Sequence, residues 1–96
     1  MSKRRSLTVD EKTALSHGFD AGNSDNAYAS DDFDKARRGR KPRSHPGPWW
    51  CGYILGFFSS YETSEVPRKQ RGRLIAAYRK CGEAARAQGI AVDVRP

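Results

Sequence analysis

The run Pro48-Trp49-Trp50-Cys51-Gly52-Tyr53-Ile54-Leu55-Gly56-Phe57-Phe58, continuing through Ser59 and Ser60 to Tyr61, decides the fold. Its large side chains point in every direction around a helix, and a helix that is apolar all round is buried on most faces. Pro48 suits the first helical position, because proline lacks an N–H that the first turn leaves unused anyway and its φ is already helical. The spacing predicts a helix over 49–61 at the centre of the core. Gly52 and Gly56 interrupt the run, which is far shorter than the ~18–20 apolar residues that span a bilayer. It therefore reads as core.

Upstream, Thr8-Val9-Asp10-Glu11 is a capping box, in which the Thr8 hydroxyl and the Glu11 carboxylate each satisfy the other's backbone N–H. It predicts a first helix over 9–21, with Leu15, Gly18, Phe19 and Gly22 along one face and Gly22, Asn23 and Asn26 as stop and turn residues. Residues 30–39 have acids first, bases last and a closing glycine, the charge order of a short helix, with Phe33 its one strong anchor. Gly39 to Gly47, with Pro42, Ser44, His45 and Pro46, reads as a loop. Downstream, Pro67 to Gln88 reads as a last helix stopped by Gly89. Its apolar stripe is Leu74, Tyr78, Cys81 and Ala85, widened by Ile75 and Ala77. The tail 90–94 alternates weakly, like a strand without a partner. The expected fold is all-α: a disordered basic tail at 1–6, then one domain over 7–96 with three main helices and a flexible basic loop at about 37–47. Helix 49–61 is expected to pack between 9–21 and 67–88.

The chain has 96 residues, with 18 Lys+Arg against 11 Asp+Glu and a net charge of +7. A domain this small buries only roughly 60–65% of its unfolded surface, so its core is thin. An aromatic content of 10% nevertheless argues for a core and against a wholly disordered chain. The positive excess is clustered, which points to an acidic partner. Met1 to Arg5 is basic, but no apolar stretch follows as in a secretory signal, so the expectation is a cytoplasmic protein that uses no membrane.

The first cluster is Lys35, Arg37, Arg38, Arg40, Lys41 and Arg43, with no acid among residues 35–43. Arginines on an extended loop can pair bidentately with phosphates. The second cluster, on the last helix, is Arg68, Lys69, Arg71, Arg73, Arg79, Lys80 and Arg86. Trp49 and Trp50 are candidates for stacking on bases; they project about 100° apart on a helix, so one is expected to be exposed. Arg38-Gly39-Arg40-Lys41-Pro42-Arg43 also resembles the AT-hook, whose Arg-Gly-Arg-Pro core binds the A·T minor groove, although Lys41 intrudes before Pro42.

Nothing points to catalysis or to a cofactor. His17 and His45 are the only histidines, and neither a nucleophile motif nor a phosphate-cradling glycine loop is present. His17, His45, Cys51 and Cys81 are zinc-type ligands without the short paired spacing of zinc modules, so no metal is expected. Two cysteines are too few for a disulfide scaffold and read as small buried apolar residues.

Two stretches resemble the ribosome modulation factor family and its small phage and plasmid relatives. Gly18-Phe19-Asp20-Ala21-Gly22, followed by Ser24-Asp25-Asn26-Ala27-Tyr28, is similar to the family's Gly-aromatic-x-Ala-Gly helix and the turn after it, with Ala27 where the family has proline. Trp49-x-x-Gly52-Tyr53-x-x-Gly56 is similar to its Trp-x-x-Gly-aromatic-x-x-small helix. The glycines would let the two helices cross closely. The resemblance covers about residues 15–60 and implies an RNA-facing role, with RNA or the ribosome as the partner whose activity is modulated. The phage relatives raise an alternative: an inhibitor that docks on a host protein complex such as a CRISPR surveillance complex or a polymerase. An AT-hook-like DNA-binding regulator is a third reading.

Overall fold

Four helices make up the residues that this computed structural model describes, 7–29 and 32–91. They are α1 (Val9–Ala29), α2 (Phe33–Arg38), α3 (Pro46–Phe57) and α4 (Arg68–Ala87), with one 3-10 turn at Thr63–Glu65. There is no strand among the described residues. The expected tail at 1–6 lies outside them, as does most of the weak strand at 90–94.

The capping box forms as expected. Thr8 Oγ1 accepts from the Glu11 N–H at 3.2 Å, and Glu11 Oε1 accepts from the Thr8 N–H at 2.9 Å. The helix it opens does not stop near residue 21 but runs to Ala29. The residues that read as stop signals are instead used across the fold. Asn23 Oδ1 accepts from the Ser59 hydroxyl at 2.8 Å, and Asn26 Nδ2 lies 3.4 Å from the Tyr61 hydroxyl. Asp25 accepts from Tyr53 and Arg40. Tertiary partners override weak intrinsic helix propensity here.

α3 starts two residues before Pro48. His45 caps it in the left-handed region (φ 47°), and Pro46 takes the first helical position. The helix ends at Phe57 rather than 61. The Ser59 and Tyr61 N–H groups bond to Gly56 and Phe58 in successive turns, while the Ser59 hydroxyl reaches Asn23.

α1 and α3 cross with their main chains in contact. A methyl group on Gly18 would overlap the Trp49 carbonyl oxygen, and one on Gly22 would overlap that of Tyr53. In return, Gly52 sits on the Leu15 carbonyl and Gly56 on that of Phe19. Two glycines one turn apart on each helix thus remove every side chain from the crossing, the close approach that small-xxx-small spacing allows. Leu15, Tyr53, Leu55, Phe57 and Phe58 are buried beside it.

α2 is held by Phe33, which stacks on Phe58 (5.5 Å) and meets Phe57 edge-on (5.3 Å). α4 lays Leu74, Ala77, Cys81 and Ala85 into the core, leaving Tyr78 and Ile75 half-buried at its margins. Gly89 (φ +81°) ends it: its N–H bonds to the Arg86 carbonyl and that of Ile90 to the Ala85 carbonyl, the paired bonds of a Schellman stop. α3 therefore lies between α1 and α4, as the sequence predicts.

Candidate nucleic-acid interface

The basic residues expected to act alike fall into three groups. The first is structural. Arg40 Nη2 and Nε donate to the two oxygens of Asp25 at 2.6 and 3.0 Å, and the buried Tyr53 hydroxyl donates to the same carboxylate at 2.6 Å. The Arg40 guanidinium, joined by the Tyr53 hydroxyl, holds the Asp25 carboxyl below the usual carboxylate range. Burial, together with that hydrogen bond, raises the Tyr53 phenol. Arg71 turns inward as well, donating to the carbonyls of Ser64 (3.3 Å) and Val66 (3.2 Å). The expected flexible loop at 37–47 is correspondingly shorter. Arg37 and Arg38 are helical in α2, Pro46 and Gly47 belong to α3, and Arg40 ties what lies between them to α1.

The second group gathers at Asp34. Lys69 Nζ lies 2.9 Å from this carboxylate, Arg73 Nη1 3.4 Å and Arg37 Nη1 3.9 Å, and Gln70 Nε2 donates to it at 3.1 Å. Lys69, foremost, keeps the Asp34 carboxyl below its ordinary range. Two basic clusters that are separate in sequence thus become one face where Asp34 of α2 bridges to Lys69, Gln70 and Arg73 of α4. The third group, Lys35, Arg38, Lys41, Arg43, Arg68, Arg79 and Lys80, is exposed, with no ion pair among the described residues. Arg86 lies over the Tyr78 ring, 5.1 Å from its centre.

Beside the Asp34 face opens a cavity of about 510 Å³. Phe33, Trp50, Cys51, Ile54 and Ala77 give it apolar walls. Arg37, Arg73 and Lys80 bring three cations to it from two helices. The Arg37 guanidinium lies 5.6 Å from the centre of the Trp50 ring, in cation–π range. Lys80 Nζ reaches α3, where it would be 3.4 Å from a side chain at Gly47.

The tryptophans do not divide into one exposed and one buried. Both are half-buried and meet edge to face at 4.9 Å, because Tyr53 sits 5.3 Å from each ring and draws them together. Trp50 faces the cationic cavity, whereas Trp49 faces a separate cleft with His17, His45 and Arg43. The zinc-type side chains are split in the same way. Both histidines line that cleft, and the two cysteines are buried together between α3 and α4. Cys51 keeps its proton well above the usual thiol range because it donates to the Cys81 sulfur and is buried. No helix among the described residues is long and apolar enough to cross a membrane.

Sequence reasoning missed the two acids that organise the cations. Asp25 looked like part of a turn, and nothing local pairs it with residue 40. Asp34 was visible only as the acidic start of a short helix. Comparisons with protein-family models, curated proteins and solved structures give no match for this chain.

Proposed function

We propose that the protein is a non-catalytic cytoplasmic protein that binds RNA or a ribonucleoprotein surface through the cationic face around Asp34, modulating the activity of what it binds. The observation that carries the reading is the charge imbalance there: Arg37, Lys69 and Arg73 share one carboxylate. One acid cannot neutralise three bases, and the surplus suits phosphate groups, which arginine pairs bidentately. The resemblance to the ribosome modulation factor family supports the same partner class.

The test is capture of partners from a bacterial lysate with the tagged chain, with and without RNase. Ribosomal subunits or RNA lost on nuclease treatment are the expected result. A protein complex that survives nuclease would overturn the reading in favour of a docking inhibitor. Preference for A·T duplex over RNA would do so in favour of a DNA-binding regulator. Two variants sharpen the test. Lys80→Glu should weaken RNA binding, whereas Asp34→Asn should strengthen it about two- to five-fold at low salt while loosening α2 from α4. Affinity should fall with salt by about 0.7 in log–log slope per phosphate contacted on a single strand.

A further inference from the structure

We infer that the cavity between α2, α3 and α4 is a pocket for one unstacked base of a single-stranded nucleic acid, with the phosphates on either side of that base held by Arg37, Arg73 and Lys80. The inference rests on the RNA-binding reading above and adds to it a specific site and a specific part of the ligand.

Three observations combine. The cavity, at about 510 Å³, falls within the ~300–1,000 Å³ range of small-molecule sites. Its walls are flat or apolar: Phe33, Trp50, Ile54 and Ala77. Such surface takes the faces of a planar ring. An indole ring such as that of Trp50 is a kind of group on which unstacked bases are known to stack.

The cations come from separate elements, Arg37 from α2 and Arg73 and Lys80 from α4, the last two about two turns apart. A ligand that satisfies all three carries more than one negative charge around a flat apolar body. A nucleotide within a strand does so by construction, since a phosphate flanks it on each side. A peptide would need acidic residues on both sides of an aromatic one, a far more particular sequence. Asp34, 3.9 Å from Arg37 and 3.4 Å from Arg73, cannot cancel both charges and leaves a positive surplus for a ligand.

The experiment compares binding of oligouridylate with that of a ribose-phosphate strand of equal length lacking bases, followed by fluorescence anisotropy. The variant is Ala76→Leu. Ala76 is exposed on α4 and lines the cavity, so a branched aliphatic chain there fills the space from outside, offers a base no flat face and does not enter the core. A thermal melt checks that it folds, and Lys80→Ala, a change at an exposed side chain, serves as an independent variant.

The wild-type chain should prefer oligouridylate to the base-free strand roughly tenfold, the effect of one stacked base. Ala76→Leu should abolish that preference and leave binding of the base-free strand unchanged. Lys80→Ala should weaken both strands and reduce the salt slope by about 0.7. Equal binding of the two strands by wild type, or a preference that survives Ala76→Leu, overturns the pocket but leaves the RNA-binding reading standing. Equal binding of oligothymidylate and oligouridylate supports the pocket while removing RNA selectivity from that reading. If wild type binds no strand and takes an acidic aromatic peptide instead, both fall.

Discussion

The two sides of α3 are held by different means. Toward α1, four glycines bring main chain against main chain, and no side chain stands between the helices. Toward α4, contact is made by Ala77, Cys81 and the residues around them, with a cavity and three cations where the packing opens. The first contact leaves no room for adjustment, and nothing could bind within it. The second is spaced by side chains, and it is where the molecule presents both apolar surface and charge. The close-packed side takes up Tyr53, whose hydroxyl donates to Asp25 of α1, and the open side presents Trp50 to the cavity.

The sharpest way to break this contrast is to add one methyl group at the crossing. Gly52→Ala drives a Cβ into the Leu15 carbonyl, a backbone atom that cannot move aside. The cost should reach about 3 kcal/mol or more. That is a large fraction of the stability of a domain this size, and the melting temperature should fall by more than about 10 °C. A variant that melts like wild type would show that the two helices do not cross in main-chain contact.

Next in size is the Asp25 network that braces the crossing from outside. Asp25→Asn, which weakens the Arg40 pair and the bond from the buried Tyr53 hydroxyl, should cost about 1–2 kcal/mol, and Arg40→Ala a comparable amount. The pH dependence follows from the direction of the shift. Because folding lowers the Asp25 pKa, its contribution is complete above the ordinary carboxylate value of about 4 and is lost as pH falls through the folded value. The melting temperature of wild type should therefore drop more steeply below pH 4 than that of Asp25→Asn. Parallel curves in acid would mean that the carboxylate does not hold the loop.

The smallest effect has the opposite sign. Gly72 lies in α4 with open space where a side chain would go, so Gly72→Ala should stabilise by about 0.5–1 kcal/mol, a few degrees in melting temperature. The same substitution, glycine to alanine, thus changes sign between the backbone crossing and the open surface of α4.

Much of the architecture was legible because it rests on local signals. Thr8 and Glu11 announce a cap, the apolar run announces the central helix, and Gly89 announces a stop. The extent of α1 was not legible. Asn23, Asp25 and Asn26 are weak helix formers on their own, and only their partners at Ser59, Tyr53, Arg40 and Tyr61 make them helical. The candidate site was half legible. Charge clustering identified the basic residues, but residue type does not separate Arg40, taken by Asp25, from Arg38, which is exposed. Distance along the chain hid the meeting of Arg37 with Arg73 at Asp34, as it hid the cavity that Trp50 faces.

The glycine crossing also shapes how the molecule opens. Contact between main chains has no half-packed version, so α1 and α3 separate together or not at all and form one cooperative unit. α4 is held by side chains, so its seam with α3 should open at lower free energy than the crossing. Widening of the cavity is then a subglobal event, confined to the α3–α4 seam. A ligand bound there would leave the α1–α3 pair in register and suppress the opening of α4, and, binding only the folded chain, it would raise the global stability as well.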